Sequence, residues 1–268
     1  MIEIEKAYKR YLAGMQLIAR LRPIWIAYTA GYLWTHLLSP RTAERQQVLE
    51  KMKTCRSQLH CGLNQAWRNY LWHASASVLN TYMYPAMTKH WLGRNVQVIG
   101  GENLLNTNGI NKGALILTAH QHSMMMLAVT SGLMGMKMYP ILMDPKLTVP
   151  EYLSEYVARA VRDSASQYNG GNYILVDYDT TFVRSLHRVL KSGNVVLSAN
   201  DFPESLAPKR RLSIPFLGRH ISLPTGSVEI AMKCEARIIP AFIYQSNGIL
   251  VAHFYPPLTG LLDEIMHS

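Results

Sequence analysis

The chain lacks the sequence features of several common protein classes. Its 268 residues include only 3 cysteines, and these show no CxxC or zinc-finger spacing, so we expect free thiols in a reducing compartment and no bound metal. No GxGxxG or Walker loop is present, which leaves the usual nucleotide-binding folds unsupported. The first residues, MIEIEKAYKR, are charged and have no apolar core, so no cleavable signal peptide is predicted.

Acidic residues are scarce in the first third of the chain. Residues 1–94 contain 13 Lys or Arg and 4 Asp or Glu, whereas residues 95–268 contain 14 and 13. All 5 tryptophans also fall in residues 1–94. Basic and aromatic side chains together suit an anionic membrane surface, where rings lie at headgroup depth and cations meet lipid phosphates. Nucleic acid would also attract this charge, but the aromatic and aliphatic content favours a membrane and predicts no nucleic-acid partner.

One segment within this basic region has no charged residue. Pro23 to Pro40 contains no Lys, Arg, Asp or Glu, and its length is near the lower limit of roughly 17 residues for a spanning helix. Thr29 and Gly31 lower its hydropathy further. The pattern favours a helix that lies in the membrane interface over one that crosses it, and the alternative is a buried helix of a soluble core. Residues 42–89 predict one or two more helices.

From Asn95 onward, short apolar runs alternate with helical patterns. The predicted strands are Val96–Ile99, Ala114–Thr118, Met138–Met143, Tyr173–Val176, Val195–Ala199, Ile238–Tyr244 and Leu250–Tyr255. The predicted helices are Ser123–Met134, Pro150–Ser164, Thr180–Leu190 and Gly226–Cys234. This alternation predicts an α/β fold with a mostly parallel sheet flanked by helices. We therefore divide the chain into a helical, basic, membrane-associating segment at residues 1–94 and an α/β core at residues 95–268.

Polar side chains follow several of the predicted strands. In a parallel sheet the carboxyl ends of the strands lie along one edge, which is where open α/β sheets place their active sites. We expect the imidazole and carboxylates at these strand ends to meet in one crevice: His120, Asp144, Asp177, Asp179 and Asp201.

The strongest catalytic candidate is His120, within the run GALILTAHQHSMMML. Histidine titrates near neutral pH and is the usual general base, although a histidine at a strand end can also be structural. His122 is a candidate for orienting His120, binding phosphate or capping the next helix. Ser123 is a substrate-binding candidate that is also well placed as an N-cap. As a nucleophile it would need a G-x-S-x-G elbow, which is missing here.

A second group of candidates lies further along the chain. Asp201 is a candidate for orienting a histidine or holding the acceptor, and alternatively for a helix cap or a salt bridge. Arg210 and Arg211 are suited to a lipid or carrier-protein phosphate, with a solvated basic face as the alternative. Thr225 and Gly226 precede a helix, where backbone N–H groups can bind an oxyanion or serve only in capping.

Three segments together resemble a known enzyme family. They are LILTAHQHSMMM, LKSGNVVLSANDF and IPFLGRHISLPTGSVEIAMKCEARIIPAFIY. They are similar to motifs of the lysophospholipid acyltransferase superfamily, and specifically of the late acyltransferases of lipid A biosynthesis, across residues 96–258. In this resemblance His120 takes the position of the family's histidine and Asp201 that of the family's aspartate.

The resemblance implies a bacterial enzyme at the cytoplasmic face of the inner membrane. It implies transfer of an acyl group from a carrier-protein thioester to a hydroxyl of lipid A or a related membrane glycolipid. The donor arm would be phosphopantetheine on the carrier protein, and no cofactor would be bound by this chain. A basic surface suits an acidic carrier.

Two positions depart from the family pattern. The acidic partner of the family's histidine falls at Met125, and an arginine of the family falls at Thr180. A thioether cannot orient or charge-stabilise an imidazole. His120 therefore needs another partner, such as His122 or Asp201, unless the chemistry has changed.

The family also includes a divergent glycyltransferase that moves glycine from a carrier protein onto lipid A and confers resistance to cationic peptides. An aminoacyl donor carries an ammonium group, which carboxylates such as Asp144, Asp177, Asp179 or Asp201 would stabilise. We therefore expect transfer of an acyl or aminoacyl group, with glycyl as one candidate. The alternatives are ordinary fatty acyl transfer, a catalytically inactive lipid-binding relative, and an N-acyltransferase that acts on a soluble peptide or amine.

Overall fold

The computed structural model divides the chain into two compact units. It describes residues 2–38, 45–54, 61–105, 112–120, 123–143, 158, 162–176, 181–201, 204, 210–216, 218–246 and 248–258. One unit consists of residues 1–83 with 215–221, and the other of residues 84–214 with 222–268.

Helices make up most of the first unit. They are α1 (Ile2–Ile18), α2 (Ile24–Leu38), α3 (Arg45–Lys53) and α4 (Leu63–Met83). The charge-free segment forms α2, as predicted, and the next two helices lie within the predicted residues 42–89. Helix α1 lies in the segment predicted to be helical, although its bounds were not predicted. The large side chains of Trp25, Leu33 and Leu37 on α2 are exposed, so this helix is buried on one face only.

Helix α2 buries a face of small residues. Ala27, Gly31 and Thr35 recur every four residues and are buried. A side chain at Gly31 would meet Leu79 of α4, because a Cβ atom there would lie 2.4 Å from Leu79 Cδ1. The small inward residues therefore let α2 and α4 pack closely. None of the described helices is long and apolar enough to span a bilayer.

The second unit is built on a seven-stranded sheet. Its strands are β1 (Val96–Ile99), β2 (Ala114–Thr118), β3 (Met138–Met143), β4 (Ile174–Val176), β5 (Val195–Ala199), β8 (Arg237–Ser246) and β9 (Ile249–Phe254). Their order across the sheet is β1-β9-β8-β2-β5-β3-β4. Every neighbouring pair is parallel except β8 and β9. The predicted α/β fold with a mostly parallel sheet is confirmed.

Helices flank this sheet, and a small second sheet was missed. The helices are α5 (Lys89–Asn95), α6 (Met125–Leu133), α7 (Thr181–Lys191) and α8 (Gly226–Lys233). Strands β6 (Arg211–Phe216) and β7 (Arg219–Pro224) form a separate two-stranded sheet that was not predicted. Most of the predicted helix at Pro150–Ser164 lies outside the described residues.

Strands β2 and β5 lie next to each other in the sheet, and their buried residues explain that position. The runs ALILT and VVLSA are almost entirely buried. Continuous apolar runs of this kind are typical of parallel strands that are covered on both faces. The register pairs Thr118 with Ala199, the last residue of each strand. The chain therefore leaves β2 and β5 at the same point on the sheet edge.

Candidate active site

Two predicted residues meet at the carboxyl ends of β2 and β5. His120 comes two residues after the end of β2, and Asp201 comes two residues after the end of β5. Because Thr118 and Ala199 are paired, the equal spacing brings His120 and Asp201 side by side. The structure thus unites the candidate base with one of its two predicted partners.

The contact between them is bidentate. The His120 backbone N–H donates to Asp201 Oδ2 at 2.8 Å, and His120 Nδ1 lies 2.6 Å from Asp201 Oδ1. A carboxylate can only accept, so Nδ1 carries the proton in this pair and Nε2 is the basic nitrogen of the neutral ring. The side chains of His120 and Asp201 are 48% and 33% exposed, so a substrate can reach them. The alternative of a salt bridge from Asp201 to Arg210 or Arg211 is not what the described residues show, and Lys209, the third basic residue considered, lies outside them.

Asp201 is held as a carboxylate. Its partial burial by itself raises the pKa of the carboxyl, but the hydrogen bonds and charge of His120 outweigh that effect and leave the pKa below its ordinary value. At neutral pH the group is therefore ionised and orients the imidazole. This is the arrangement in which a carboxylate fixes the tautomer of a general base.

One residue of the site was missed by the sequence analysis. Asn200, between β5 and Asp201, donates from Nδ2 to the Pro224 carbonyl at 3.0 Å. Its Oδ1 accepts from the hydroxyls of Ser198 at 2.6 Å and Ser227 at 3.0 Å. An amide residue directly before Asp201 is a visible signal, but its partners come from distant parts of the chain and no local pattern points to them.

The interpretation of Ser123 as an N-cap is wrong. The N-cap of α6 is Met124, which makes no side-chain capping hydrogen bond. The Ser123 side chain is buried, and its carbonyl accepts from the Met126 N–H at 2.7 Å. Its assignment to substrate binding stays a prediction. The remaining predicted site residues, His122, Asp144, Asp177 and Asp179, lie outside the described residues, and their roles also stay predictions.

Both candidate arginines contact protein groups. Arg210 Nη1 lies 3.0 Å from Glu229 Oε2 in an ion pair, with the Arg210 side chain 62% exposed. Arg211 donates from Nε to Ser222 Oγ at 2.8 Å and from its guanidinium to the Ser222 carbonyl. These contacts are compatible with a solvated basic face, so both interpretations of the two arginines stay predictions. Phosphate binding by Arg210 would have to share its guanidinium with Glu229.

The turn before α8 is held by Arg210 and Glu229, the two residues of this ion pair. The Thr225 N–H donates to the Arg210 carbonyl at 2.8 Å, and its hydroxyl donates to Glu229 Oε1 at 2.5 Å. Thr225 is the N-cap residue of α8, as the capping alternative expects, although its side chain makes no capping hydrogen bond. Gly226 is the first residue of the helix, where backbone N–H groups lack intrahelical acceptors. Within the described ranges, no cluster of three His, Cys, Asp or Glu could hold a metal ion.

The chain matches a family model described as bacterial lipid A biosynthesis acyltransferase over residues 64–266. The match includes the β2 and β5 ends, the turn before α8 and the whole seven-stranded sheet. No protein of curated function matches the chain closely enough for comparison. The match extends over most of the chain, and the chain therefore belongs to the bacterial lipid A biosynthesis acyltransferase family.

Proposed function

We propose that the protein transfers an acyl or aminoacyl group from a carrier-protein thioester to a hydroxyl of lipid A or a related glycolipid, with His120 as general base. Family membership supports acyl transfer in lipid A synthesis. The observation that carries the rest is the bidentate contact between Asp201 and His120 at the edge of the parallel sheet. In this proposal Asp201 takes the part that the family gives to an acidic residue at the Met125 position.

The reaction follows from the orientation of the ring. Asp201 holds the Nδ1 proton of His120, so Nε2 accepts the proton of the acceptor hydroxyl as its oxygen attacks the thioester carbonyl. The new C–O bond forms, the carbonyl becomes a tetrahedral oxyanion, and the C–S bond then breaks. The imidazolium of His120 returns its proton to the leaving thiolate of the phosphopantetheine arm. Protons and electrons balance without a metal or a covalent enzyme intermediate.

The oxyanion needs donors other than the His120 backbone. That N–H is already committed to Asp201 Oδ2. Pro224 has no N–H and the Thr225 N–H donates to the Arg210 carbonyl, so we assign the role to the backbone N–H groups of Gly226 and Ser227, which lie in the turn at the start of α8 and lack intrahelical acceptors. Asn200 links this turn to the end of β5 through the Pro224 carbonyl. The turn and the base can thus act on one carbonyl.

The identity of the transferred group depends on what surrounds the donor. Since Asp201 is engaged by His120, stabilising the ammonium of an aminoacyl donor would fall to Asp144, Asp177 and Asp179. The hydrogen bonds between His120 and Asp201 also supply the acidic partner that fatty acyl transfer requires. This pair of residues, the dyad, is therefore compatible with either donor. We propose glycyl as the aminoacyl candidate because the chain has several carboxylates at strand ends.

We also propose that the first unit attaches the protein to the cytoplasmic face of the bacterial inner membrane. Helix α2 exposes large apolar side chains opposite its buried small residues, and Trp25, Leu33 and Leu37 are 64%, 52% and 73% exposed. The exposed side chains of Arg20 and Arg22 lie in the segment between α1 and α2, just before this helix. Apolar side chains flanked by Trp and Arg suit an anionic lipid interface.

Mass spectrometry of lipid A tests the proposal. Cells that express the chain are compared with cells that express His120→Ala, with and without a glycine-loading carrier system. We expect an added mass that is lost in the variant. A glycyl increment that depends on the carrier supports aminoacyl transfer, and a fatty acyl increment supports the ordinary reaction. An increment that persists in His120→Ala would disprove the assigned base.

A second candidate function is a catalytically inactive relative that binds lipid. Its support is Met125, which stands where the family has an acidic residue. It predicts unmodified lipid A in both strains, together with binding of lipid A by the purified protein.

A further inference from the structure

Asn200 is connected to three separate segments at the candidate active site. Its backbone N–H donates to the Thr118 carbonyl at the end of β2, with a distance of 3.0 Å. Its side-chain N–H donates to the Pro224 carbonyl before α8, and its Oδ1 accepts from Ser198 and Ser227. One residue thus joins the strand that leads to His120, the strand that leads to Asp201, and the turn before α8.

The hydrogen-bonded cluster of Asn200, Ser198 and Ser227 is rigid. The Asn200 amide oxygen has two lone pairs, and the Ser198 and Ser227 hydroxyls donate to it. The two serines are 2% and 9% exposed, so their hydroxyls lie where a missing partner would be costly. A satisfied, largely buried polar cluster has few alternative arrangements. The position of Asn200 is therefore determined from several directions.

The fixed position of Asn200 in turn restricts the positions of Asp201 and His120. Asp201 follows Asn200 in the chain, so a fixed Asn200 restricts where the Asp201 carboxylate can lie. Thr118, which accepts the Asn200 backbone N–H, lies two residues before His120. Both members of the dyad are therefore attached to Asn200 by very short lengths of chain.

We propose that Asn200 is a positioning residue, which holds Asp201 against His120 and keeps the turn from Pro224 to Ser227 in place beside them. The inference rests on the proposed function of the dyad. Acyl transfer needs the base and the oxyanion donors at fixed distances from the same carbonyl carbon. Asn200 is the described residue that connects the two.

The test compares Asn200→Ala with Asn103→Ala. Asn103 donates from Nδ2 to the Phe254 carbonyl at 2.9 Å, and its own carbonyl accepts from Arg237, which pairs with the first residue of β2. Its side-chain hydrogen bond is therefore made at β9, which β8 separates from β2 in the sheet. We expect Asn200→Ala to lower kcat by about 10- to 100-fold with KM changed by less than about 3-fold, because misplaced groups lose rate rather than binding. Asn103→Ala should retain the wild-type kcat.

A spectroscopic measurement separates positioning from general stability. In ¹⁵N-histidine-labelled protein, the His120 Nδ1 proton in its 2.6 Å contact with Asp201 should give a downfield resonance, identified by its loss in His120→Gln. We expect Asn200→Ala to shift or broaden this resonance and Asn103→Ala to leave it unchanged. Ser227→Ala removes one hydrogen-bond donor to Asn200 and leaves the rest of the cluster, so it provides a milder variant if Asn200→Ala does not fold. We expect its kcat to fall by roughly 3-fold and the His120 resonance to shift.

The two proposals fail in different ways. An unchanged resonance and kcat in folded Asn200→Ala, or in Ser227→Ala where that variant stands in, would overturn the positioning role. A wild-type protein that transfers no acyl group, but whose His120 resonance still responds to Asn200→Ala, would overturn the proposed function and leave the positioning inference intact.

Discussion

Asp201 holds His120 from the neighbouring strand, with its two carboxylate oxygens 2.6 Å from His120 Nδ1 and 2.8 Å from the His120 backbone nitrogen. The family's acidic partner would come from helix α6, at the Met125 position, instead. In this chain the carboxylate comes from the end of β5, which pairs with β2 along its whole length. An acidic residue is therefore present beside the imidazole although the sequence motif that usually supplies it is broken.

This contact predicts a large loss of kcat/KM on substitution of Asp201 and almost none on substitution of Met125. Asp201→Asn should lower kcat/KM by roughly 10²- to 10⁴-fold, because an amide no longer fixes the Nδ1–H tautomer or stabilises the imidazolium. Met125→Leu should leave kcat/KM within about 3-fold of wild type, since a thioether makes no such contribution. Initial rates with a purified carrier thioester measure both. Equal losses in the two variants would place the essential partner on α6.

The lowered pKa of Asp201 predicts how stability depends on pH. Because the folded-state pKa lies below the ordinary value of about 3.9, ionised Asp201 stabilises the fold above that pH, and the contribution is lost as pH falls through the lower folded pKa. Asp201→Asn should therefore unfold at lower urea concentration than wild type at pH 7. The gap between the two should close only below about pH 4.

Glu235→Gln provides the control for this titration. The carboxyl of Glu235 also has a pKa below its ordinary value, chiefly through its hydrogen bond with Lys112, but the group is fully exposed. Exposed pairs of this kind contribute little and are screened by salt. We expect Glu235→Gln to match wild type at every pH in moderate salt. A gap for Asp201→Asn that closes above pH 5 would contradict the lowered pKa.

Much of the second unit could be predicted because its signals are local. The runs ALILT and VVLSA are strands over the predicted residues, since continuous apolar stretches of that length suit buried parallel strands. Strands β6 and β7 were not among the predicted strands: the residues after Arg211 look strand-like, but those of both strands are largely exposed or half-buried and give no buried-strand pattern. The bounds of helix α1 could not be predicted because its charged residues all precede Tyr11, and the buried Tyr11 and Met15 mark only a short apolar face.

The site was harder to predict because it depends on strand order. The sequence placed His120 and Asp201 at strand ends, and it offered Asp201 and His122 equally as partners. Only the pairing of β2 with β5, rather than with the next strand in the chain, brings Asp201 to His120. The role of Asn200 could not be predicted, since its partners Pro224 and Ser227 come from the turn before a later helix and from its first turn.

Two helical glycines of the second unit should respond oppositely to alanine. A Cβ atom at Gly132 in α6 would lie 1.9 Å from the Gln167 carbonyl oxygen, a backbone atom that cannot move aside easily. Gly132→Ala should therefore lower the free energy of unfolding by about 1–3 kcal/mol. Beyond its chain neighbours and its own helix backbone, Gly93 in α5 has no atom of the described residues within 4 Å of such a Cβ. Gly93→Ala should raise the free energy of unfolding by about 0.5–1 kcal/mol, because alanine favours the helix.

Urea unfolding of the two variants checks this contrast. Both should keep the wild-type dependence on urea concentration, so that the midpoint alone reports the change in stability. A stabilised Gly132→Ala would mean that α6 can withdraw from the turn at Gln167. Since α6 follows directly on the segment that contains His120, that withdrawal should also lower activity.

The exposed apolar face of α2 predicts the effect of polar substitutions on membrane binding. Leu33→Gln combined with Leu37→Gln removes two large outward side chains and leaves the buried Ala27, Gly31 and Thr35 untouched. We expect the double variant to bind vesicles of phosphatidylglycerol and phosphatidylethanolamine at least roughly tenfold more weakly, because each leucine withdrawn from the interface loses hydrophobic transfer energy. Co-sedimentation without any substrate measures this directly.

A matched control comes from the second unit. Leu175 and Val183 are 49% and 47% exposed, similar to Leu33, so Leu175→Gln with Val183→Gln makes the same chemical change elsewhere. This control should bind vesicles as wild type does. Wild-type binding should also be weaker with zwitterionic phosphatidylcholine, because the excess of Lys and Arg in residues 1–94 is attracted to anionic headgroups. Equal binding by the two double variants would show that α2 does not make the membrane contact, whatever the fate of acyl transfer in detergent.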